Sequence, residues 1–268
     1  MVNYAKIDQL KAKMDSFRPL DQVQAKLLWK NYRIKETHSS TWLEGNTLTL
    51  DETRVALEAG ITIAQKPIKD YLELIDYSEA LDYMKELAVN SEKQVFSERM
   101  IREVNYLVYH RTKKAGEVAG VYRAVPVIVG RYKPPQPFLI KLQMEEFVRW
   151  VNDEGQHLHP VQLASEIHQR FVTIHPFING NGRTARLLLN FQLTKTGFPP
   201  IYVKPNEKMR GAYNKALYET QKTPDASLEP FNQFIADIVE DTLHKQIEIL
   251  KLNEQNLQDF NKINTDFK

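Results

Sequence analysis

The sequence predicts an all-α fold, a helical bundle with one small β excursion. Three observations point there. Glycine is scarce, at 10 of 268 residues. Apolar residues recur at three- and four-residue spacing along most of the chain. A single β-branched run, Val125-Pro126-Val127-Ile128-Val129, breaks that rhythm and is bracketed by Gly120 and Gly130.

Taken in order, residues 21–44 read as a helix after Pro19, and Thr49-Leu50-Asp51-Glu52 has the capping-box pattern that opens another. Leu74, Tyr77, Leu81 and Met84 share a helical face, as do Ile101, Val104 and Val108. The run 125–129 reads as a strand, half of a hairpin, and Pro134-Pro135-Gln136-Pro137 after it as extended chain. Met144, Phe147 and Val151 mark a further helix, and Leu163, Ile167, Phe171 and Ile174 the next. Leu187, Leu188 and Phe191 continue a buried face, and residues 206–222 and 229–259 complete the set. The polar end, Asn261–Lys268, is expected to fray. The organisation expected is a helical region over 1–90, a core over 91–245, and a C-terminal helix and tail over 246–268.

Composition bounds the function. Hydrophobic content of 42% and charged content of 26% are ordinary for a protein with a buried core. Thirty-six basic and 34 acidic residues leave a net charge of +2, so no electrostatic case exists for a nucleic-acid or membrane partner. The absence of cysteine excludes disulfides, thiolate catalysis and cysteine-based zinc sites. His157 and His159 lack a third ligand at zinc spacing. The first residues, MVNYAKIDQLKAKMDSF, contain no signal-peptide pattern. A cytoplasmic location is the expectation, with export without a cleavable signal left open.

The segment with chemistry in it is His175-Pro176-Phe177-Ile178-Asn179-Gly180-Asn181-Gly182-Arg183-Thr184-Ala185-Arg186. An apolar helix ends at a histidine, proline stops it, and a glycine-flanked turn starts a new helix. Backbone N–H groups at such a start converge on an anion, and the helix dipole reinforces them. Arg183 and Arg186, three apart, are expected on one face, where two guanidinium groups suit a polyphosphate. His175 stands where it can take a proton from an attacking hydroxyl. The chemistry indicated is phosphoryl or nucleotidyl transfer.

This segment resembles the signature of the Fic family, His-Pro-Phe-x-Asp/Glu-Gly-Asn-Gly-Arg-x-x-Arg, at every specified position but one. The likeness extends over most of residues 37–245. It implies a Fic/Doc-type helical bundle with a β-hairpin flap, and transfer of AMP from ATP to a Ser, Thr or Tyr hydroxyl of a target protein or of the chain itself. Carried over, His175 is the general base. Gly180, Asn181 and Gly182 form the anion hole, and Arg183 and Arg186 hold phosphate. Gly120-Val121-Tyr122-Arg123 followed by Val127, Ile128 and Val129 resembles the flap that pairs with the target as an added strand. HPVQLASEIHQRFVTI (159–174) resembles the helix leading into the signature. Tyr213 and Gln221 fall in the looser adenine-side match; relatives carry a Tyr-Tyr pair where this chain has Tyr213-Asn214. The mismatch is Asn179, at the position of the acidic Mg2+ ligand. Its carbonyl oxygen brings no charge, so weaker metal binding and slower transfer are expected.

Ser40-Thr41-Trp42-Leu43-Glu44-Gly45-Asn46 resembles the family's inhibitory motif, on a helix ending near 37–45. Glu44 is expected to pair with Arg186, take the place of the γ-phosphate and misalign ATP. A displacement of about 1 Å at a reacting centre costs on the order of a hundredfold in rate. The same glutamate would suit the reverse reaction, removal of AMP. Transfer of another phosphate-containing group and a non-catalytic nucleotide-binding role are the other readings. A homo-oligomer is compatible with the charged C-terminal stretch.

Overall fold

The computed structural model of the chain describes residues 1–20, 22–90, 95–223 and 225–266. Ten α-helices make up the described fold: α1 (Tyr4–Asp15), α2 (Gln22–Leu43), α3 (Leu50–Ala59), α4 (Ile68–Asn90), α5 (Glu98–Tyr109), α6 (Ile140–Asn152), α7 (Pro160–Ile174), α8 (Asn181–Lys195), α9 (Glu207–Glu219) and α10 (Glu229–Asp266). Short 3-10 turns at Pro137–Leu139 and Glu154–His157 flank α6.

Helices α7 and α8 are the centre, and they are buried nearly all round. Such a helix needs partners on every side. One apolar cluster joins α4, α5 and α6 to one side of the pair through Tyr77, Val104, Met144, Ile167, Phe171 and Leu188. A second joins α1, α9 and α10 to the other side through Ile7, Met14, Leu189, Leu193, Phe231 and Val239. Both clusters cross residue 90, because α4 contributes to the first and α1 to the second.

Local signals agree with these boundaries. Thr49 and Glu52 close a reciprocal capping box on α3, which ends at the left-handed Gly60. The apolar faces read from the sequence on α4 to α8 are all buried. Helix α1, which the periodicity did not mark, is anchored by Ile7 and Met14, each 2% exposed, with Tyr4 and Leu10 packed beside them.

The flap departs from expectation. Among the described residues no strand ladder forms over Val125–Val129. Instead, Val129 and Tyr132 exchange two backbone hydrogen bonds of 2.9 Å across a tight turn at Gly130, and Tyr122 forms an isolated bridge with Phe177. Pro126 has no N–H to give a ladder, and the sides of Val125, Ile128 and Val129 stand exposed with no second strand beside them. The tail departs as well: α10 continues to Asp266 beyond the expected end near 259, while Phe267 and Lys268 lie outside the described residues.

Phe171 is fully buried and packs against Phe147 and Phe177, which ties α7 to α6 and to the signature loop. Phe171→Ala is expected to cost about 3–5 kcal/mol in chemical denaturation, as loss of a buried aromatic side chain does elsewhere.

Candidate active site

Helix α7 stops at His175, which adopts a left-handed φ of 50°, and Pro176 follows. The left-handed turn throws the histidine side chain off the helix end and starts the loop to α8. Gly180 repeats the device at the other end, with φ 78°. A Cβ on Gly180 would also press on Asn105 Nδ2 at 3.0 Å, so glycine is required twice over.

Asn105 of α5 is the support beneath this loop. Its Nδ2 donates to the Asn179 carbonyl at 3.0 Å and its Oδ1 accepts from Gly180's counterpart at the flap base, the Gly120 N–H, at 3.0 Å. Asn181 braces the loop from within. Its Oδ1 accepts from the Phe177 N–H at 3.0 Å and its Nδ2 donates to the Phe177 carbonyl at 2.8 Å. The buried Asn181 side chain is therefore spent on the loop, and what it offers an anion is its backbone N–H. The N–H groups of Asn181, Gly182 and Arg183 open α8, and no side chain caps them among the described residues. This leaves a set of donors at a helix N-terminus, which is an anion site by construction.

The two arginines do not share a face in the way their spacing predicts. Arg183 is 2% exposed and turns back toward α5 and α4. It donates to the Val108 carbonyl at 3.1 Å and lies 3.9 Å from Glu73. It acts as a strut under the loop. Arg186 turns toward α2. Its Nε donates to Ser40 Oγ at 2.7 Å, its Nη2 to the Ser40 carbonyl at 2.9 Å and to Glu44 Oε1 at 2.8 Å. Its Nη1 lies 3.4 Å from the Tyr213 hydroxyl. Burial alone would depress Arg186, but Tyr213, Glu44 and Tyr77 more than compensate and keep it charged.

Glu44 follows Leu43, the last residue of α2, and precedes the glycine turn at Gly45 (φ 95°). Burial works to raise its carboxyl; Arg186, Arg183, the hydrogen bond from Arg186 and His175 outweigh that and hold it below the usual carboxylate range. A Cβ on Gly182 would run into Glu44 Oε1 and stand 3.1 Å from Arg186 Nη1. The carboxylate thus rests against the turn that opens α8. Thirty-five per cent of the Glu44 side chain is exposed against 6% for Arg186, so Glu44 is the partner free to leave. The segment after it is pinned: Asn46 Nδ2 donates to the Asp70 carbonyl at 3.0 Å, and the Thr47 N–H and hydroxyl donate to Asp70 Oδ2 at 2.9 and 2.6 Å.

His175 is half-buried. Desolvation, aided by Arg123, pushes it down to about 4, against opposing pulls from the Val172 backbone and Glu44. It is neutral at physiological pH, with a ring nitrogen available to accept a proton. Arg123, quoted in the flap motif but given no role from sequence, proves to be a clamp. Its Nε donates to the His175 carbonyl at 2.8 Å, Nη1 to Val125 at 2.9 Å and Nη2 to Pro135 at 2.7 Å, while its N–H donates to Pro176 at 2.9 Å. One guanidinium binds the histidine backbone to both ends of the flap. The signal that could have revealed it is an arginine beside a proline-rich loop with no acidic neighbour in sequence.

The remaining expected residues divide. Gln221 lines an open cleft of about 1130 Å3 with Tyr132, Pro135, Thr173 and Arg170, and donates to Thr173 Oγ1 at 3.1 Å. Tyr213 does not line that cleft. It is 6% exposed, behind Arg186, and its hydroxyl meets His168 Nε2 at 2.9 Å. A buried tyrosine places its hydroxyl on a polar partner, and here these are Arg186 and His168. His168 is buried and held neutral by desolvation and by Arg186. Trp42 of α2 lies under Arg210 of α9 at 4.9 Å.

Asn179 is exposed, but its Oδ1 already accepts from the Gly180 N–H at 2.7 Å and lies 3.4 Å from Arg183 Nη2. Among the described residues no group of three or more His, Asp or Glu side chains could hold a metal. A neutral oxygen beside a guanidinium does not fit a resident magnesium site.

A family model described as "Fic/DOC family" matches residues 95–193. The chain is 33% identical to Protein adenylyltransferase Fic of Drosophila yakuba, over 80% of this chain and 42% of that protein. It is 32% identical to Protein adenylyltransferase fic-1 of Caenorhabditis elegans, over 91% and 47%. It spans less than half the length of these relatives. A crystal structure of a Fic domain containing signaling protein from Bacteroides thetaiotaomicron superposes with a TM-score of 0.83 at 30% identity, over 92% of this chain and 97% of that one. Fic-1 of C. elegans superposes with a TM-score of 0.81 at 27% identity, over 93% and 73%.

The bracing role of Asn181 has a consequence for stability. Asn181→Ala removes two buried hydrogen bonds and is expected to lower unfolding free energy by about 1–3 kcal/mol, read by urea titration.

Proposed function

The chain belongs to the Fic/DOC family, and on that premise we propose that it is a protein adenylyltransferase restrained by its own helix α2. The observation that carries the reading is a neutral His175 beside the open N-terminus of α8, with Glu44 lying across the donors and paired to Arg186 at 2.8 Å. ATP would place its phosphates on the N–H groups of Asn181, Gly182 and Arg183, with its base in the cleft beside Gln221. The target hydroxyl oxygen bonds to the α-phosphorus while His175 takes the hydroxyl proton. The bond from that phosphorus to the oxygen bridging the β-phosphate breaks, and pyrophosphate leaves with the electron pair. The helix N-terminus offsets the charge that develops on the α-phosphate oxygens.

The flap is proposed to hold the target. Val127 and Ile128 lie outside any ladder among the described residues, next to Val129, whose own backbone is taken by Tyr132; an extended segment pairing along this stretch would be held in register whatever its side chains. Such loose demand suits a range of hydroxyl-bearing segments, including those of the chain itself or of a second copy. A cytoplasmic site of action is proposed with it.

The brake follows from competition for one guanidinium. With Glu44 in place, Arg186 is unavailable to the γ-phosphate and a carboxylate lies where phosphate oxygen should. Expected outcome: Glu44→Gly gains AMP masses on incubation with ATP and magnesium while wild type gains few, and Glu44→Gly/His175→Ala gains none. Intact-mass spectrometry reads all three. Mass gain undiminished by His175→Ala would reject the base. No gain in any variant, despite ATP binding, would support a nucleotide-binding role without transfer.

A second reading, removal of AMP, draws on the same carboxylate. Glu44 rests on Gly182 and interacts electrostatically with His175, where it can orient a water toward a bound AMP-protein. Incubation of an AMP-modified target with wild type separates the directions by the mass lost or gained.

Magnesium is proposed to arrive on the triphosphate, since the protein offers it Asn179 alone. Asn179→Asp supplies a charged oxygen at that position. It is expected to raise transfer by Glu44→Gly at limiting magnesium and to change it little at saturation; equal rates at limiting magnesium would remove Asn179 from the account.

A further inference from the structure

Helix α2 turns a second carboxylate inward, eight residues before Glu44. Glu36 is 1% exposed. Its Oε1 accepts from the Tyr77 hydroxyl at 2.6 Å, and its Oε2 has no hydrogen-bond partner among the described residues. Glu36, Arg186, His168, Tyr202 and Tyr213 line a void of about 10 Å3, room for roughly one water. Arg186 nevertheless pairs with Glu44 across its other side.

A buried carboxylate with one oxygen unpartnered is costly as an anion and acceptable as a neutral acid. Burial raises Glu36 to about 8, against the Tyr77 hydrogen bond and the pull of Arg186. Every titratable group turned toward it fits a neutral neighbour. Tyr77 of α4, Tyr32 of α2, Tyr213 of α9 and Tyr202 before α9 are all raised, first by burial, and stay protonated. His168 of α7 is neutral, which leaves Arg186 of α8 as the charge facing Glu36.

We propose that Glu36 is a positioning residue for Arg186: as a neutral acid it leaves the guanidinium to the outer anion, and once ionised it competes for it. The outer anion is Glu44 in the restrained state and the γ-phosphate in the active one, so the proposal rests on the nucleotide reading of Arg186 given above. It assigns the back of the arginine site to the helix that carries the brake, so that α2 acts on Arg186 from both sides.

The test is calorimetric titration of ATP, at fixed saturating magnesium, into Glu44→Gly and Glu36→Gln/Glu44→Gly at about pH 7 and about pH 9.5. Glutamine keeps the Tyr77 bond and copies the neutral acid. Glu44→Gly is expected to lose roughly fivefold in affinity over that interval, the size of one screened charge interaction, and the double variant to lose little. Tyr77→Phe/Glu44→Gly removes a bond that lowers Glu36, so its loss of affinity should move to higher pH.

A thermal arm checks that Glu36 titrates. A carboxyl raised in the folded state binds a proton that the unfolded chain releases, so stability falls as pH rises from the ordinary carboxylate range to about 8. Glu36→Gln should therefore melt higher than wild type at neutral and alkaline pH, with the difference closing near pH 4.5, the ordinary value for this group. Identical pH profiles for ATP affinity with and without Glu36 overturn the proposal while leaving the nucleotide site intact, even if the melting difference appears. Absence of ATP binding in every variant overturns both.

Discussion

A guanidinium taken out of water needs a hydrogen-bonding surround, and Arg186 has one assembled from three helices. Ser40 gives it a hydroxyl and a carbonyl, Glu44 a carboxylate, and Tyr213 a hydroxyl backed by His168. All of those groups lie outside α8. The arginine therefore ties α2, α7 and α9 to the start of α8, and the candidate site exists because they meet there. Stripping a buried charge of its partner is costly. Any anion that displaces Glu44 must replace it, and a phosphate can.

On the proposed reading this makes the arrangement a competition between Glu44 and a nucleotide phosphate for one cation. Arg186 is buried and held by Ser40 as well as by Glu44, while Glu44 stands just past a helix end with a third of its side chain exposed. The glycine turn follows it directly. Beyond that turn Asn46, Thr47 and Asp70 hold the chain entering α3 against α4. Opening the site thus asks for movement of one side chain or of the last turn of α2, with the bundle left in place.

A second arginine organises the other side of the histidine. Arg123 gathers three carbonyl oxygens, from His175, Val125 and Pro135, and so fixes the flap base to the loop whose histidine is to act. The flap beyond it stays open, with a tight turn at Gly130 and exposed Val125 and Ile128. On the proposed reading an extended target segment would pair along Val127 and Ile128, between the Arg123 clamp and the Val129–Tyr132 turn.

Much of this was legible in the sequence because it is local. Periodicity placed α4 to α8, the capping box opened α3, and proline after His175 with glycines at 180 and 182 located the helix break and its anion-binding turn. The resemblance of residues 40–46 to the family's inhibitory motif implied the pairing of Glu44 with Arg186, and the structure adds Ser40 to the same arginine. What tertiary packing alone decided is where long side chains go once several helices compete for them. Three-residue spacing put Arg183 and Arg186 on one face, yet buried carbonyls on α5 drew Arg183 backward and Ser40 drew Arg186 toward α2. Tyr213 turned from the cleft to an internal hydroxyl partner, and the strand expected at 125–129 lacked a neighbour. Helix α1 was missed because a few apolar residues sufficed once α10 lay against it. Backbone conformation follows from nearby residues, whereas the satisfaction of buried charge depends on groups more than a hundred residues away, which only the folded chain brings together.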